Sequence, residues 1–165
     1  MIARLLAACA AVLLVPMVSA VAATVPLGDA IVEFDPALWS ASGSSATDLI
    51  FTCLAPDCEG RPLVFARSAP LDQKEFAAFL DSPPAYDSRP LDPGSNVAGA
   101  LSFEAASGWS GCRARDTPLL VARARSGDMA YYFVTGFAAG CHFGPEVPQD
   151  RFLGLLHGVK PAPAK

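Results

Sequence analysis

The feature that most constrains the fold is the run from Leu119 to Thr135, which has the pattern of two strands joined by a tight turn. Its two halves, LLVARAR and MAYYFVT, are rich in the branched and aromatic residues that strands favour. Between them, Gly127 and Asp128 suit a two-residue hairpin loop, because glycine readily adopts the positive φ that such loops need. The sequence therefore predicts a central β-hairpin, flanked by Cys112 and Cys141.

The register of this hairpin can be predicted from side-chain size. A two-residue loop pairs Ala122 with Phe133, so that a small residue lies opposite an aromatic one on the first face. The second face then places Arg123 opposite Tyr132. A three-residue loop would instead set Arg123 against Tyr131 and give the two faces less contrast. We therefore predict the two-residue loop.

The amino terminus predicts an export signal. Arg4 gives a short positive segment, and the apolar run Leu5–Val18 is too short to cross a bilayer comfortably. Small residues follow this run, and we expect cleavage after Ala20 or Ala23. Residues 1–23 are thus predicted to be a signal peptide, with a bare membrane anchor as the alternative.

The composition after signal removal excludes some classes of function. Loss of Arg4 leaves 11 basic residues against 16 acidic ones, which argues against general nucleic-acid binding. No second apolar run approaches the length of a transmembrane helix, so no membrane-spanning segment is expected after signal cleavage. We expect a periplasmic or secreted protein.

Four cysteines remain after the signal, and an even number in an exported chain is typical of disulfide bonds. Three pairings are possible. Proximity favours Cys53–Cys58, and extension of the hairpin ladder brings Cys112 near Cys141, so we predict these two bridges. A zinc site that also uses His142 is the alternative, but the spacing matches no compact zinc pattern. Neither a metal nor another cofactor is expected.

Periodicity and turn signals predict further elements. In chain order, the predicted elements are Ala30–Phe34, Leu49–Leu54, Pro62–Ala66, a helix over Asp72–Asp81, Val97–Ala105, the two hairpin strands and a helix over Gln149–His157. Two connections lack periodicity. One is the small-residue loop Ser40–Ser45, and the other is Ser82–Asn96, a proline-rich loop long enough to serve as a lid or as a variable surface segment.

This order, β-β-β-α-β-β-β-α, predicts a single α+β domain over residues 24–159. Its antiparallel sheet would be covered by helices and stabilised by two disulfides. A mostly-β sandwich or barrel with one or two short helices is the alternative. The proline-containing residues 160–165 are predicted to be a disordered tail.

The chain lacks a recognisable catalytic constellation. The segment Gly108–Cys112 (GWSGC) approaches the G-x-S-x-G motif of serine hydrolases, but Cys112 stands where the last glycine is required. His142 is the one histidine near Ser110 in the predicted fold. No phosphate-binding glycine loop or dinucleotide motif occurs. We therefore predict no catalytic residue, with a hydrolase that uses Ser110 and His142 as an alternative.

Arginine is concentrated around the hairpin of this acidic chain. The predicted ligand-binding residues are Arg113, Arg115, Arg123, Arg125 and Tyr132. Each arginine pair has i, i+2 spacing, so its two side chains point to the same side of a strand. Arginines beside a tyrosine suit a carboxylate or phosphate, because the guanidinium forms paired hydrogen bonds to two oxygens. The alternative is the solvated face of a half-buried sheet, where arginine stems cover apolar surface.

These observations favour a non-enzymatic binding or accessory protein of the cell envelope. Its expected partner is an envelope protein or a small acidic ligand, and no nucleic acid is expected. An inhibitor or immunity-type protein that binds another envelope protein is the first alternative.

Overall fold

The computed structural model describes residues 21–80, 86–94, 100–109, 118–136 and 146–163. Within these ranges the strands are β1 Ala23–Leu27, β2 Ala30–Phe34, β3 Trp39–Ser45, β4 Asp48–Cys53, β5 Leu63–Pro70, β6 Tyr86–Leu91, β7 Phe103–Trp109, β8 Pro118–Ser126, β9 Met129–Thr135 and β10 Val159–Pro161. The helices are α1 Gln73–Ala78 and α2 Gln149–His157. Neither of these two helices is long and apolar enough to cross a membrane.

The strands form two antiparallel sheets. The larger has seven strands in the order β3-β4-β5-β9-β8-β7-β6, and the smaller has the order β1-β2-β10. A turn links the two sheets directly: the Gly28 amide, between β1 and β2, donates to the Ala46 carbonyl, between β3 and β4, at 2.7 Å. The Gly28 Cα lies so close to β5 that an added Cβ would sit 2.5 Å from the Ser68 hydroxyl oxygen.

The main core lies between the larger sheet on one side and the smaller sheet with α2 on the other. Phe51 and Phe133 project from the larger sheet and are fully buried, as are Phe152 and Leu156 of α2. We call this face of the larger sheet the inner face and the opposite one the outer face. Burial of each of these four core side chains stabilises the fold by about 1.5–3 kcal/mol. This packing stabilises α2, since a helix of nine residues is marginal alone.

The predicted hairpin register is confirmed. Ala122 lies opposite Phe133 and Arg123 opposite Tyr132 in the β8–β9 ladder. Gly127 has φ +56° in the two-residue loop, in the left-handed region that glycine adopts without strain. The Phe133 ring also meets Phe103 edge to face, with centroids 5.5 Å apart.

The α+β prediction is wrong, and the architecture is closer to the mostly-β alternative. The predicted loop Ser40–Ser45 belongs to β3, which pairs with β4 along almost its whole length. The Ser82–Asn96 connection contains β6. The chain also forms β1 and β10, and β10 includes Lys160 and Pro161, where a disordered tail was predicted. These strands lack long apolar runs, because each is an edge strand or is very short.

Helix α1 begins where the sequence predicts, but it ends at Ala78 and is shorter than the predicted Asp72–Asp81. The Asp72 carboxylate accepts hydrogen bonds from the amides of Lys74 at 2.8 Å and Glu75 at 3.0 Å, so Asp72 is the N-cap. The Glu75 side chain does not complete the capping box, because it pairs with Arg67 on β5 instead. The helix is the part of the described chain that packs on the outer face.

The Cys53–Cys58 disulfide is confirmed. It closes the turn after β4, its Cα atoms are 5.9 Å apart, and both cysteines are buried. A short loop of this kind stabilises the fold by about 2 kcal/mol in chain-entropy models. The prediction of a Cys112–Cys141 bridge lies outside the described residues.

Candidate functional site

A continuous row of mostly apolar side chains crosses the outer face from strand to strand. Ser42 of β3 lies opposite Ile50, which lies opposite Phe65, which in turn lies opposite Val134. The row continues from Val134 to Val121 and then to Ala106. It arises because every second residue of each strand points to this face. We call this set of residues the apolar row.

Helix α1 and the turn after it cover one half of the apolar row. Val121 and Ala106 are buried beneath Phe79 and Leu80. In the same half, the Phe79 and Tyr132 ring centroids are 4.6 Å apart, so this packing is a direct aromatic contact. The covered half therefore forms a small second core on the far side of the sheet.

Beside α1, no described residue covers the other half of the apolar row. Ile50, Phe65 and Val134 are only half-buried there, and they form the floor of a groove of about 870 Å³. Phe79 of the helix turn forms one wall, and the β3 residues Ser42–Ser44 form the opposite boundary. The charged residues at its rim are Asp48, Arg67 and Glu75. We call this feature the binding groove.

A second row, of polar residues, runs parallel to the apolar row. It consists of Asp48, Arg67, Tyr132, Arg123 and Glu104, each opposite the next on the neighbouring strand. An arginine thus lies on each side of Tyr132. The Arg67 guanidinium carbon is 5.1 Å from the Tyr132 ring centroid, close enough for a cation–π contact.

Arg123 is part of the contact between α1 and the sheet. Its guanidinium donates to the Glu104 carboxylate at 2.6 Å, to the Ala77 carbonyl at 2.8 Å and to the Phe76 carbonyl. The guanidinium carbon also lies 4.6 Å from the Phe76 ring centroid. Its side chain is only 14% exposed. Arg123 therefore binds the carbonyl end of a short helix, where a positive charge is favourable.

The structure brings together three of the five predicted ligand-binding residues. Arg123, Arg125 and Tyr132 share the outer face, with Arg125 exposed and Tyr132 buried. Arg113 and Arg115 lie outside the described residues. The existing contacts of Arg123 leave its guanidinium few free donors for an anion.

Tyr132 carries a buried hydroxyl for which the described residues supply no hydrogen-bond partner. Burial is the main cause that raises the pKa of this phenol, and the nearby Glu75 carboxylate raises it further. The neutral hydroxyl therefore persists at all physiological pH values. Its ring forms part of the groove lining next to Arg67 and Phe79.

The rim charges of the groove differ in how they are paired. Arg67 forms an ion pair with Glu75, and about half of each side chain is exposed. The Asp48 carboxylate accepts hydrogen bonds from the hydroxyls of Ser45 at 3.0 Å and Thr47 at 2.9 Å. Within the described ranges, no arginine or lysine forms an ion pair with Asp48.

Other chemistry is sparse in the described part of the chain. No group of three or more histidine, cysteine, aspartate or glutamate side chains there is arranged to hold a metal ion. The His157 ring contacts the Pro93 carbonyl beside the end of α2. The hydrolase alternative rests on Ser110 and His142, which both lie outside the described residues.

The main residues of the groove are not evident from the sequence. Ile50 and Phe65 were predicted to lie in strands, but nothing local shows that their face is uncovered. The part of β3 from Ser40 to Ser45 was predicted to be a loop, although Trp39 and Ala41 alternate with serines in the pattern of a strand. That alternation is the one sequence signal that indicates β3.

Comparison with known proteins gives no assignment for this chain: no protein-family model, no curated protein and no solved structure matches it.

Proposed function

We propose that this protein is an exported, non-catalytic binding protein that holds a segment of a partner protein in the binding groove, as inhibitors and immunity-type proteins hold their targets. One observation carries the proposal: Ile50, Phe65 and Val134 form a half-buried apolar floor that α1 leaves open. A concave apolar surface with a few polar groups at its rim is typical of binding sites. The buried Cys53–Cys58 bridge supports export, because disulfides persist in oxidising compartments.

The rim of the groove indicates what the partner should carry. Arg67 and Glu75 neutralise each other, whereas Asp48 presents a carboxylate beside the groove whose side-chain partners, among the described residues, are the hydroxyls of Ser45 and Thr47. A partner segment with apolar side chains for the floor and a lysine or arginine near Asp48 matches this arrangement. Such pairing across an interface favours specificity and the rate of association.

The test is retention of a partner from an envelope extract by the exported, signal-cleaved chain. Wild-type protein should retain one protein in stoichiometric amount, and the variants Ile50→Ser and Phe65→Ser should lose it. Leu54→Ser is the matched control, because Leu54 is an exposed apolar residue outside the groove. Light scattering of the purified complex gives the stoichiometry, and circular dichroism shows that the variants remain folded. Equal retention by all four proteins would contradict the proposal.

A small acidic ligand is the second candidate, and Arg67 is the observation that favours it. The Arg67 guanidinium lies at the rim above the Tyr132 ring, and its partner Glu75 is exposed enough to be displaced by a ligand carboxylate. Native mass spectrometry of the exported protein would detect such a ligand as an added mass. That added mass should disappear in Arg67→Met.

A further inference from the structure

The larger sheet has two edges of different character. At one edge β6 contains Arg89 and Pro90, and both residue types discourage pairing with a further strand. At the other edge β3 has the sequence WSASGSS, which carries no charge and no proline. Among the described residues, no strand pairs with the outer side of β3. The ladder of β3 shifts register between Gly43 and Ser45, so the stretch without charge, proline or irregularity is Trp39–Gly43.

The outward-facing backbone groups of β3 can be identified from the ladder. The Leu54 amide donates to the Leu38 carbonyl at 2.7 Å, and hydrogen-bonded pairs alternate with non-bonded ones in an antiparallel ladder. Ser40 and Ser42 thus direct their backbone groups toward β4. Ala41 and Gly43 direct theirs away from the sheet.

The opposite side of β4 gives an independent check on this assignment. The Cys53 amide donates to the Pro62 carbonyl at 2.9 Å, so the backbone groups of Cys53 point toward β5. Its partner on β3 is Trp39. Trp39, like Ala41 and Gly43, therefore forms no backbone hydrogen bond to β4. The Trp39 amide is already bonded to the Asp35 carbonyl at 2.9 Å. Ala41 and Gly43 remain to pair with a partner.

The side chains of β3 leave room for those of an added strand. Ser40 and Ser42 point to the outer face and are exposed and small. Because neighbouring strands lie about 4.8 Å apart, a large side chain on an added strand would pass over Ser42 and reach Ile50. The edge thus continues directly into the binding groove, whose boundary includes Ser42 and Gly43.

We infer that the partner supplies an extended segment that pairs with β3 as an additional strand, and this inference rests on the proposed function. The segment places alternate apolar side chains toward Ile50 and the groove, and a basic side chain beside Asp48. Main-chain hydrogen bonds to Ala41 and Gly43 provide affinity, while the alternate side chains provide specificity. The ladder shifts register between Gly43 and Ser45, so the paired stretch is short.

A random dodecapeptide phage library is the first probe. The exported wild-type protein should enrich peptides whose apolar residues alternate with a period of two and that contain lysine or arginine. Enrichment of peptides with apolar residues three and four apart would show a helix in the groove, which overturns strand addition and leaves the proposed function standing. If no peptide is enriched in a way that depends on Phe65, the result would contradict both the strand-addition inference and the proposed function.

A synthetic copy of the most enriched peptide is the second probe, used with amide hydrogen exchange read by NMR. Binding should protect the Ala41 and Gly43 amides and leave the exchange of Ser40 and Ser42, already bonded to β4, almost unchanged. Protection at the groove floor without protection of Ala41 and Gly43 would overturn the strand-addition inference alone.

Replacement of Ala41 by proline removes one backbone amide that points away from the sheet, and it breaks no hydrogen bond to β4. Ala41→Pro should weaken peptide binding about tenfold, since a net hydrogen bond and the accompanying steric conflict correspond to about one decade in affinity. Ala41→Val is the matched control, because it has similar bulk and keeps the amide. Equal affinity of the two variants would contradict pairing at this edge, and a melting curve shows whether each remains folded.

Discussion

The two halves of the outer face share one apolar row but differ in what covers them. On the β9–β8–β7 side, Phe79 and Leu80 bury Val121 and Ala106. On the β4–β5 side, Ile50 and Phe65 are half-buried on the floor of an open groove. The difference does not come from the sheet, because the side chains of the row are similarly apolar throughout. It comes from α1, whose six residues are too few to reach across the whole face.

The two arginines of the polar row show the same contrast. Arg123 bonds to Glu104 and to the carbonyl end of α1, and little of its side chain is exposed. Arg67 pairs with Glu75 at the surface, where about half of each side chain is exposed. Two residues of the same type therefore differ in exposure: the arginine under the helix is largely buried in its contacts, and the arginine beside the helix keeps about half of its side chain in solvent.

Truncation of one aromatic side chain in each half of the outer face should give the largest difference in the free energy of unfolding. Phe76 is buried against Tyr132 and Arg123, so Phe76→Ala should lower the free energy of unfolding by about 3 kcal/mol. Phe65→Ala in the open groove should lower it by about 1 kcal/mol, because that ring is already partly in water. Urea denaturation measures both. Equal losses would show that the groove is as well packed as the covered half.

Replacement of each of the two arginines separately by methionine should give the next largest difference in stability. Arg123→Met removes hydrogen bonds to a carboxylate and to helix carbonyls, with an expected loss of about 1.5–3 kcal/mol. Arg67→Met should cost under about 1 kcal/mol, because an exposed ion pair contributes little. Thermal denaturation at matched salt concentration compares them. A larger loss for Arg67→Met would reverse the assignment of structural and recognition roles.

Local interactions account for what the sequence predicted well. The hairpin register followed from cross-strand size matching between Ala122 and Phe133, and the Asp72 cap followed from a short sequence signal. Helix α2 and the Cys53–Cys58 bridge also involve residues that are close in the chain. Each depends on physics that acts within a few residues or across one turn.

Non-local packing accounts for what the sequence analysis missed. β3 is stabilised by its ladder with β4 and by burial of Trp39, whereas its serines and glycine have low strand propensity. The groove exists because β5 lies next to β9, far away in sequence, and because α1 stops short of β4. Neither fact can be predicted from the hydrophobic periodicity of a single segment. Arg67 was missed for the same reason, since its neighbours Tyr132 and Glu75 come from different elements.

The attachment of α1 should depend on pH through its N-cap. Hydrogen bonds from the Glu75 and Lys74 amides hold the pKa of the Asp72 carboxyl below its ordinary value. A depressed pKa in the folded state means that Asp72 stabilises the fold above its unfolded pKa, near 3.9, and that this contribution is lost as the pH falls through the folded pKa. Asp72→Asn keeps a capping oxygen that does not titrate.

The measurement is the melting temperature of wild type and Asp72→Asn between pH 7 and pH 2. Wild type should be at least as stable at pH 7 and should lose its advantage below about pH 4. The comparison removes the titration of other carboxylates, such as Asp57, whose pKa is lowered by its hydrogen bond to Arg151. A difference that does not change with pH would show that the Asp72 charge does not stabilise α1.

The smallest effect is expected at Tyr132, where the covered half meets the open one. Its hydroxyl is buried without a hydrogen-bond partner in the described part of the chain, so Tyr132→Phe removes a desolvated polar group. The free energy of unfolding should change by less than about 0.5 kcal/mol or should rise.

Tyr131→Phe is the matched control on the inner face, because the Tyr131 hydroxyl donates to the Asp29 carboxylate and its loss should cost about 1.5–3 kcal/mol. Urea denaturation of the pair gives both values. A cost at Tyr132 equal to that at Tyr131 would mean that the Tyr132 hydroxyl has a strong hydrogen-bond partner.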